Sequence, residues 1–260
     1  MNPVFEFPKY GGIWRKVGEL LPGEKWKMST QRFSDDTCME YKKMIITTPL
    51  DLTLKMTGRP DLADRLNYSS THIIGIGIRG VHALGNKCWM YFPEDNTPFY
   101  RCTVFSNYSV NNCPPPTTLL PTLRVGENLV TDASPKPGPY WSLMFEISAS
   151  EKHKTVDEIN IVDDTIAAAV GVGLISQFSE IVSVYHRRLQ RGYPTPHLNR
   201  NSALADAEHF LRSNDIWSRG RFGAWKYEVS NPDHSLMQGV EAVDNIFFET
   251  DETTLNKRHE

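Results

Sequence analysis

Cysteine is sparse in this chain and never paired. The four residues (Cys38, Cys88, Cys102 and Cys113) form no C-x-x-C motif and have no histidine at zinc-ligand spacing. That pattern excludes a sequence-readable zinc site and a disulfide framework, and predicts reduced thiols in the cytosol. A run of 18 apolar residues is also missing, so no membrane span is expected. The opening stretch MNPVFEFPKYGG lacks a basic n-region and an apolar h-region, which again predicts a cytoplasmic protein. Cationic runs are short: Arg187, Arg188 and Arg191 make the longest cluster, and the net charge is −3. Nothing here suits a phosphate-tracking face for nucleic acid.

What is present is ample material for folding. Of the 260 residues, 40% are hydrophobic, enough for one large domain or two ordinary ones. Apolar residues at helical spacing predict a helix over 13–21, and another is expected over about 51–65. Strands rich in Ile, Val, Phe, Tyr and Trp are expected near 71–79, 87–92, 100–107 and 140–147, and a further one over 180–189. The stretch between 111 and 139 is proline-rich and reads as an irregular surface loop. Helices follow over 155–175, near 202–212, and from about Ser235, where Leu236, Val240, Val243 and Phe247 share one face. The fold class predicted is α+β, an antiparallel sheet packed with helices.

Gly75, Gly77 and Gly80 match G-x-G-x-x-G, the fingerprint of a dinucleotide-binding loop. That motif needs a helix directly after it, and the residues following Gly80 return to a strand too soon to supply one. The glycines instead predict a strand with open space above bare backbone. Arg79, ending that strand, reads either as a solvated arginine or as a clamp for phosphate.

Longer motifs carry a more specific signal. The segments YHRRLQRGYPTPH (185–197) and WSRGRFGAWKYEVSNPDHSLMQGVEAVDN (217–245) resemble the C-terminal part of eukaryotic-type UDP-galactopyranose mutases. LNYSSTHIIGIGIRG, KCWMYFPEDNTPFYRCTVFSNYS and GPYWSLMFEIS match the same family in the same order, from about Phe7 to about Asn245. The resemblance implies a flavoprotein that binds FAD and interconverts UDP-galactopyranose and UDP-galactofuranose. In that chemistry the N5 of reduced flavin attacks the sugar's anomeric carbon, forming a flavin–sugar adduct as UDP leaves. By motif, Arg79 and Arg221 match the arginines that grip the substrate diphosphate, and Tyr68, Tyr193 and Tyr227 match tyrosines around phosphates and sugar. Gly223, Ser230, Asn231 and Ser235 fall in the stretch that runs beside the flavin.

Departures from the family pattern are also expectations. The family's opening G-x-G-x-x-G strand and its helical uridine domain have no counterpart in the sequence, and Ser230 and Pro232 replace the family's residues beside the flavin. The resemblance thus implies a truncated mutase-like chain with weakened or lost FAD binding. Its expected organisation is a flavin-domain remnant over 1–66, a substrate domain over 67–216 and a second flavin-domain remnant over 217–260. Its expected partners are a nucleotide sugar or other small anionic substrate, and a protein partner or second copy covering exposed apolar surface. Two other readings stay open: a repurposed flavin-free biosynthetic enzyme using the residual cleft, and a non-catalytic protein-interaction remnant.

Overall fold

A computed structural model describes residues 29–32, 38–130, 134–150 and 154–256; the helix expected over 13–21 lies outside them. The chain divides into two compact units, one of residues 1–67 with 196–260 and the other of residues 68–195. The second cut falls ahead of the helix near 202–212, so that helix joins the first unit.

Among the described residues the first unit opens with β1 (Ser29–Arg32) and β2 (Cys38–Tyr41), an antiparallel pair with Ser29 opposite Tyr41, followed by β3 (Met44–Ile46). The single helix expected over 51–65 is two: α1 (Leu50–Met56) and α2 (Pro60–Ala63). Pro60 explains the break, because it cannot donate the helical hydrogen bond and it pushes the preceding residue out of helical geometry. Arg59 accordingly sits at φ −120°, ψ 59°.

The second unit is a seven-stranded antiparallel sheet. Its strands are β4 (Tyr68–Arg79), β5 (Trp89–Tyr91), β6 (Arg101–Val104), β7 (Arg124–Val125), β8 (Asn128–Leu129), β9 (Tyr140–Ala149) and β10 (Glu180–Pro194). In space they run β5-β6-β9-β4-β10-β7-β8, which puts β4 at the centre. The pair β7 and β8 lies inside the proline-rich stretch read from sequence as irregular. Helix α3 (Ile161–Gly171) is shorter than the 155–175 expected. Asp157 explains the late start: its carboxylate accepts from the Ile159 amide and the Asn160 side chain, forming a local turn that competes with helix.

Alternation along β4 sorts its two faces. Ile74, Ile76 and Ile78 are buried together with Leu143, Phe145 and Ile147 of β9 and Ile166 and Ala169 of α3. Burying each isoleucine contributes about 1.5–3 kcal/mol. The opposite face carries Gly75 and Gly77.

The first unit resumes with α4 (Arg200–Ser213), β11 (Ile216–Ser218), α5 (Pro232–Phe248) and α6 (Thr253–Asn256). β11 pairs with β3 in parallel, Ile216 opposite Met44. Trp225 is fully buried and donates from its indole N–H to the Asn67 carbonyl at 3.2 Å. Helix α5 turns Gln238 and Ala242 inward. Leu236, Val240, Val243 and Phe247 stand exposed, the last by 52%.

Candidate functional site

The glycine face of β4 forms the floor of a cavity of about 390 Å³, contained wholly within the sheet unit. Gly75 and Gly77 leave the floor bare; Ser142, Ser183 and Tyr185 from the flanking strands and Cys113 from the proline-rich connection line it. Space above Gly77 is limited by one side chain. A Cβ there would lie 2.3 Å from the Ser183 hydroxyl oxygen. The lining is largely carbon with a few hydroxyls and carries no charged side chain, which suits a neutral ring or sugar face better than a polyphosphate. Burial pushes the Cys113 thiol up, an effect the Ser142 hydroxyl partly offsets, so it is a thiol rather than a thiolate at neutral pH.

Arg79 stands at the end of the floor strand and is heavily engaged. Its Nε donates to Glu180 at 2.8 Å, and its terminal nitrogens donate to the carbonyls of Leu120 (2.6 Å), Lys136 and Pro137 (2.8 Å) and to the Tyr140 hydroxyl (3.1 Å). Leu120 and Tyr140 also line the cavity. Arg79 therefore staples the proline-rich connection over the glycine floor. Glu180 completes the staple: the Thr122 hydroxyl donates to it at 2.7 Å, and that bond, then Arg79, holds its carboxyl below the usual range.

Tyr68 and Tyr193 lie together at the other end of the sheet. Tyr193 is paired with Ser69 on the neighbouring strand, and the Arg191 guanidinium lies 4.9 Å from the centre of the Tyr68 ring. At ~3.3 Å per residue the length of β4 separates Tyr68 from Arg79 by about 36 Å along the strand. One small ligand does not reach both.

The remaining candidates belong to the first unit, and all but Gly223 are joined by short contacts around the start of α5. Arg221 donates from Nε to the Ser230 carbonyl at 3.1 Å, and the Ser230 hydroxyl donates to the Tyr227 carbonyl at 2.7 Å. Tyr227 is half exposed, with the Arg200 guanidinium 5.6 Å from its ring centre. Asn231 is the N-cap of α5 without a side-chain capping bond, and its carbonyl accepts from the Ser235 amide at 2.9 Å. In the helix's first turn the buried Nδ1 of His234 has no hydrogen-bond partner. Gly223 lies apart from that turn, against the Arg219 carbonyl. A Cβ on it would come within 2.1 Å of that oxygen.

Sequence reasoning missed Tyr185 and Cys113 as cavity residues. Period-two alternation puts Tyr185 on one face of its strand, but only the register, Tyr185 opposite Gly75, shows that this is the glycine face. Nor does sequence reveal Glu180 as the partner of Arg79 across the sheet.

No family model matches the sequence. At the level of fold the chain is like a protein described as a protoporphyrinogen oxidase from Exiguobacterium sp. 255-15 (TM-score 0.52, 9% identity, 89% of this chain and 50% of the other). It is also similar, in sequence as well as fold, to reduced UDP-galactopyranose mutase, with 38% identity over 94% of its residues and a TM-score of 0.75. The chain spans 52% of that protein's length.

Proposed function

We propose that the chain is the sheet unit, with part of the cofactor unit, of a flavoprotein acting as a UDP-galactopyranose mutase. The observation that carries this reading is the 38% identity to the mutase across 94% of the chain. Residues 67–216 would then handle substrate, while 1–66 and 217–260 would contribute to FAD binding. The protein would be cytoplasmic, its substrate a nucleotide sugar.

The first turn of α5 fits a polar, oxygen-rich group of the cofactor. Amides at a helix start are short of partners, and the unpartnered His234 Nδ1 lies beside them. Ser230, Asn231 and Ser235 would hold FAD here, and Gly223 would contribute by letting the chain ahead of them pack tightly against the Arg219 backbone. When bound, FAD supplies the nucleophilic ring nitrogen for attack on the sugar's anomeric carbon. Arg221 would neutralise the departing diphosphate, and the Tyr227 phenol would donate to a phosphate oxygen without adding charge. The glycine-floored cavity would hold a flat or sugar-like face and exclude water from it. Arg79 serves as a positioning residue there through its staple on Leu120 and Tyr140, and meets the diphosphate only at the cavity's edge. Tyr68 and Tyr193 would act at the far end of the sheet.

The test is titration of the purified chain with FAD, read by the visible flavin spectrum and by melting temperature. A perturbed spectrum with an FAD-dependent rise in Tm is expected. An unchanged spectrum and a constant Tm overturn the flavoprotein reading. Turnover that persists without flavin would favour a repurposed enzyme instead.

The exposed stripe on α5 favours a second reading, in which a second copy of the chain covers it. Four apolar side chains on one helical face make a self-complementary patch of the kind that C2 dimers bury.

A further inference from the structure

The first unit holds a second cavity, of about 510 Å³, with a different chemistry. Arg212 of α4, Arg219 beyond β11 and Lys226 line it together with Gly223 and three carboxylates, Glu208, Asp251 and Glu252. Arg219 is the second-largest fully buried side chain described, only 2% exposed. Its fork grips Glu252 in bidentate fashion: Nε donates to Oε2 at 2.5 Å and Nη2 to Oε1 at 2.7 Å. Arg212 donates to the same Oε1 at 3.3 Å. Glu208 also accepts from Arg219, at 2.9 and 3.2 Å, but half in solvent.

Glu252 does not come from the body of the unit. Helix α5 ends at Glu249, in the left-handed region (φ 58°), and the chain folds back as a short C-terminal segment that delivers the carboxylate. Polar contacts hold this segment: Glu241 accepts from the hydroxyls of Thr253 and Thr254 and from the Thr254 amide, each at 2.9 Å. Lys226 donates from Nζ to the Leu255 carbonyl at 2.5 Å. Apolar anchoring is slight, since α6 buries no residue.

We propose that Arg212, Arg219 and Lys226 form a site for a phosphoryl group, and that the Glu252 carboxylate is its built-in occupant. Two guanidinium groups converge on this one carboxylate, and the Lys226 ammonium lines the same cavity; guanidinium forks of this kind also bind phosphate bidentately. A carboxylate brings one charge to this place; a pyrophosphate or nucleoside diphosphate brings more, and more acceptor oxygens. Burial holds the Lys226 ammonium below the ordinary lysine range. Tethered a few residues from α5, Glu252 competes at high effective concentration and keeps the site closed to weak ligands. Gly223 belongs to this site by its position. This inference stands independently of the mutase reading.

The test compares the wild-type chain, Glu252→Gln, a chain ending at Thr250, and the double variant Arg219→Gln with Glu252→Gln. Each is titrated with inorganic pyrophosphate and separately with ADP, with Tm as the readout. Glu252→Gln and the shortened chain are expected to gain a saturable rise of about 5 °C at a hundredfold excess over Kd. The wild type should respond several-fold less and the double variant not at all. A stronger response to ADP than to pyrophosphate assigns the site to a nucleotide, and an equal one to the phosphoryl groups alone. If Glu252→Gln folds poorly, restoration by pyrophosphate supports the proposal. Failure of pyrophosphate to restore it, with a shortened chain that ignores both anions, overturns it: Glu252 is then only a structural ion-pair partner. A wild-type response equal to that of Glu252→Gln overturns it as well.

Discussion

At the scale of single residues, Arg79 shows how a side chain at a strand end becomes a keystone. Its bonds to three carbonyls of the proline-rich connection and to Glu180 hold a segment that has little regular structure of its own. Arg79→Ala should destabilise the protein by about 1–3 kcal/mol, because it removes the bonds that tie the Leu120, Lys136 and Pro137 carbonyls to the sheet and frees Glu180. Arg79→Lys should recover little, since one ammonium cannot span four acceptors. Urea denaturation and hydrogen exchange over 118–140 measure both effects, and unchanged exchange there would refute the staple. Glu180 adds a pH dependence whose sign follows from its lowered pKa. Its stabilising contribution is complete above the usual glutamate value of 4.5 and drains away as pH falls through the lower folded value. Glu180→Gln should therefore flatten the acid limb of Tm against pH. Among the thiols, burial pushes Cys102 up to about 12, whereas Cys88 is partly exposed. Brief alkylation of the native protein near pH 8 should modify Cys88 and leave Cys102 untouched, as mass spectrometry of the labelled peptides would report.

At the scale of elements, β4 and α5 are the informative pair. The alternation of Ile and Gly in β4 is written in the sequence, and it is enough to identify a strand and reject the dinucleotide loop. Its partners are not written there. Ser183 and Tyr185 oppose Gly77 and Gly75 only because β10 pairs with β4 in that register. Gly77→Ala should cost about 1–3 kcal/mol through the clash with the Ser183 hydroxyl, and Ser183→Ala should relieve much of it. A double-mutant cycle by denaturant unfolding decides the point; purely additive effects would count against the contact. In α5 the apolar stripe is equally legible, and the structure leaves it exposed. The structure adds why the other face turns inward. Gln238 accepts from the Gly220 amide and donates to the Val229 carbonyl, while the Asn245 side-chain Oδ1 accepts from Arg212 and from the Trp217 indole. Each would be costly to leave buried and unpaired, so these bonds fix the helix's rotation.

For the whole molecule, two compact units share one chain, and the site residues divide between them. Arg79, Tyr68 and Tyr193 belong to the sheet unit; Arg221, Tyr227 and the 230–235 turn belong to the other. At this scale the exposed face of α5 is where the second-copy reading is tested. Val240→Glu should lower the apparent mass in light scattering at high protein concentration while leaving Tm within about 1 °C, because Val240 is already half in water. An unchanged mass distribution would remove the second-copy reading.

Period and composition by themselves determined the α+β class, the strand character of residues 71–79 and the face of α5 that carries its apolar stripe. They do so because side-chain alternation and helical repeat are local properties of the chain. Long motifs added the likeness to the mutases. Only the tertiary structure decided that Arg79 grips a loop, that Tyr68 lies a full strand away from it, and that Glu252 reaches back to Arg219. Those are pairings between residues distant in sequence, set by strand register and by how buried charges find partners, and no local pattern encodes them.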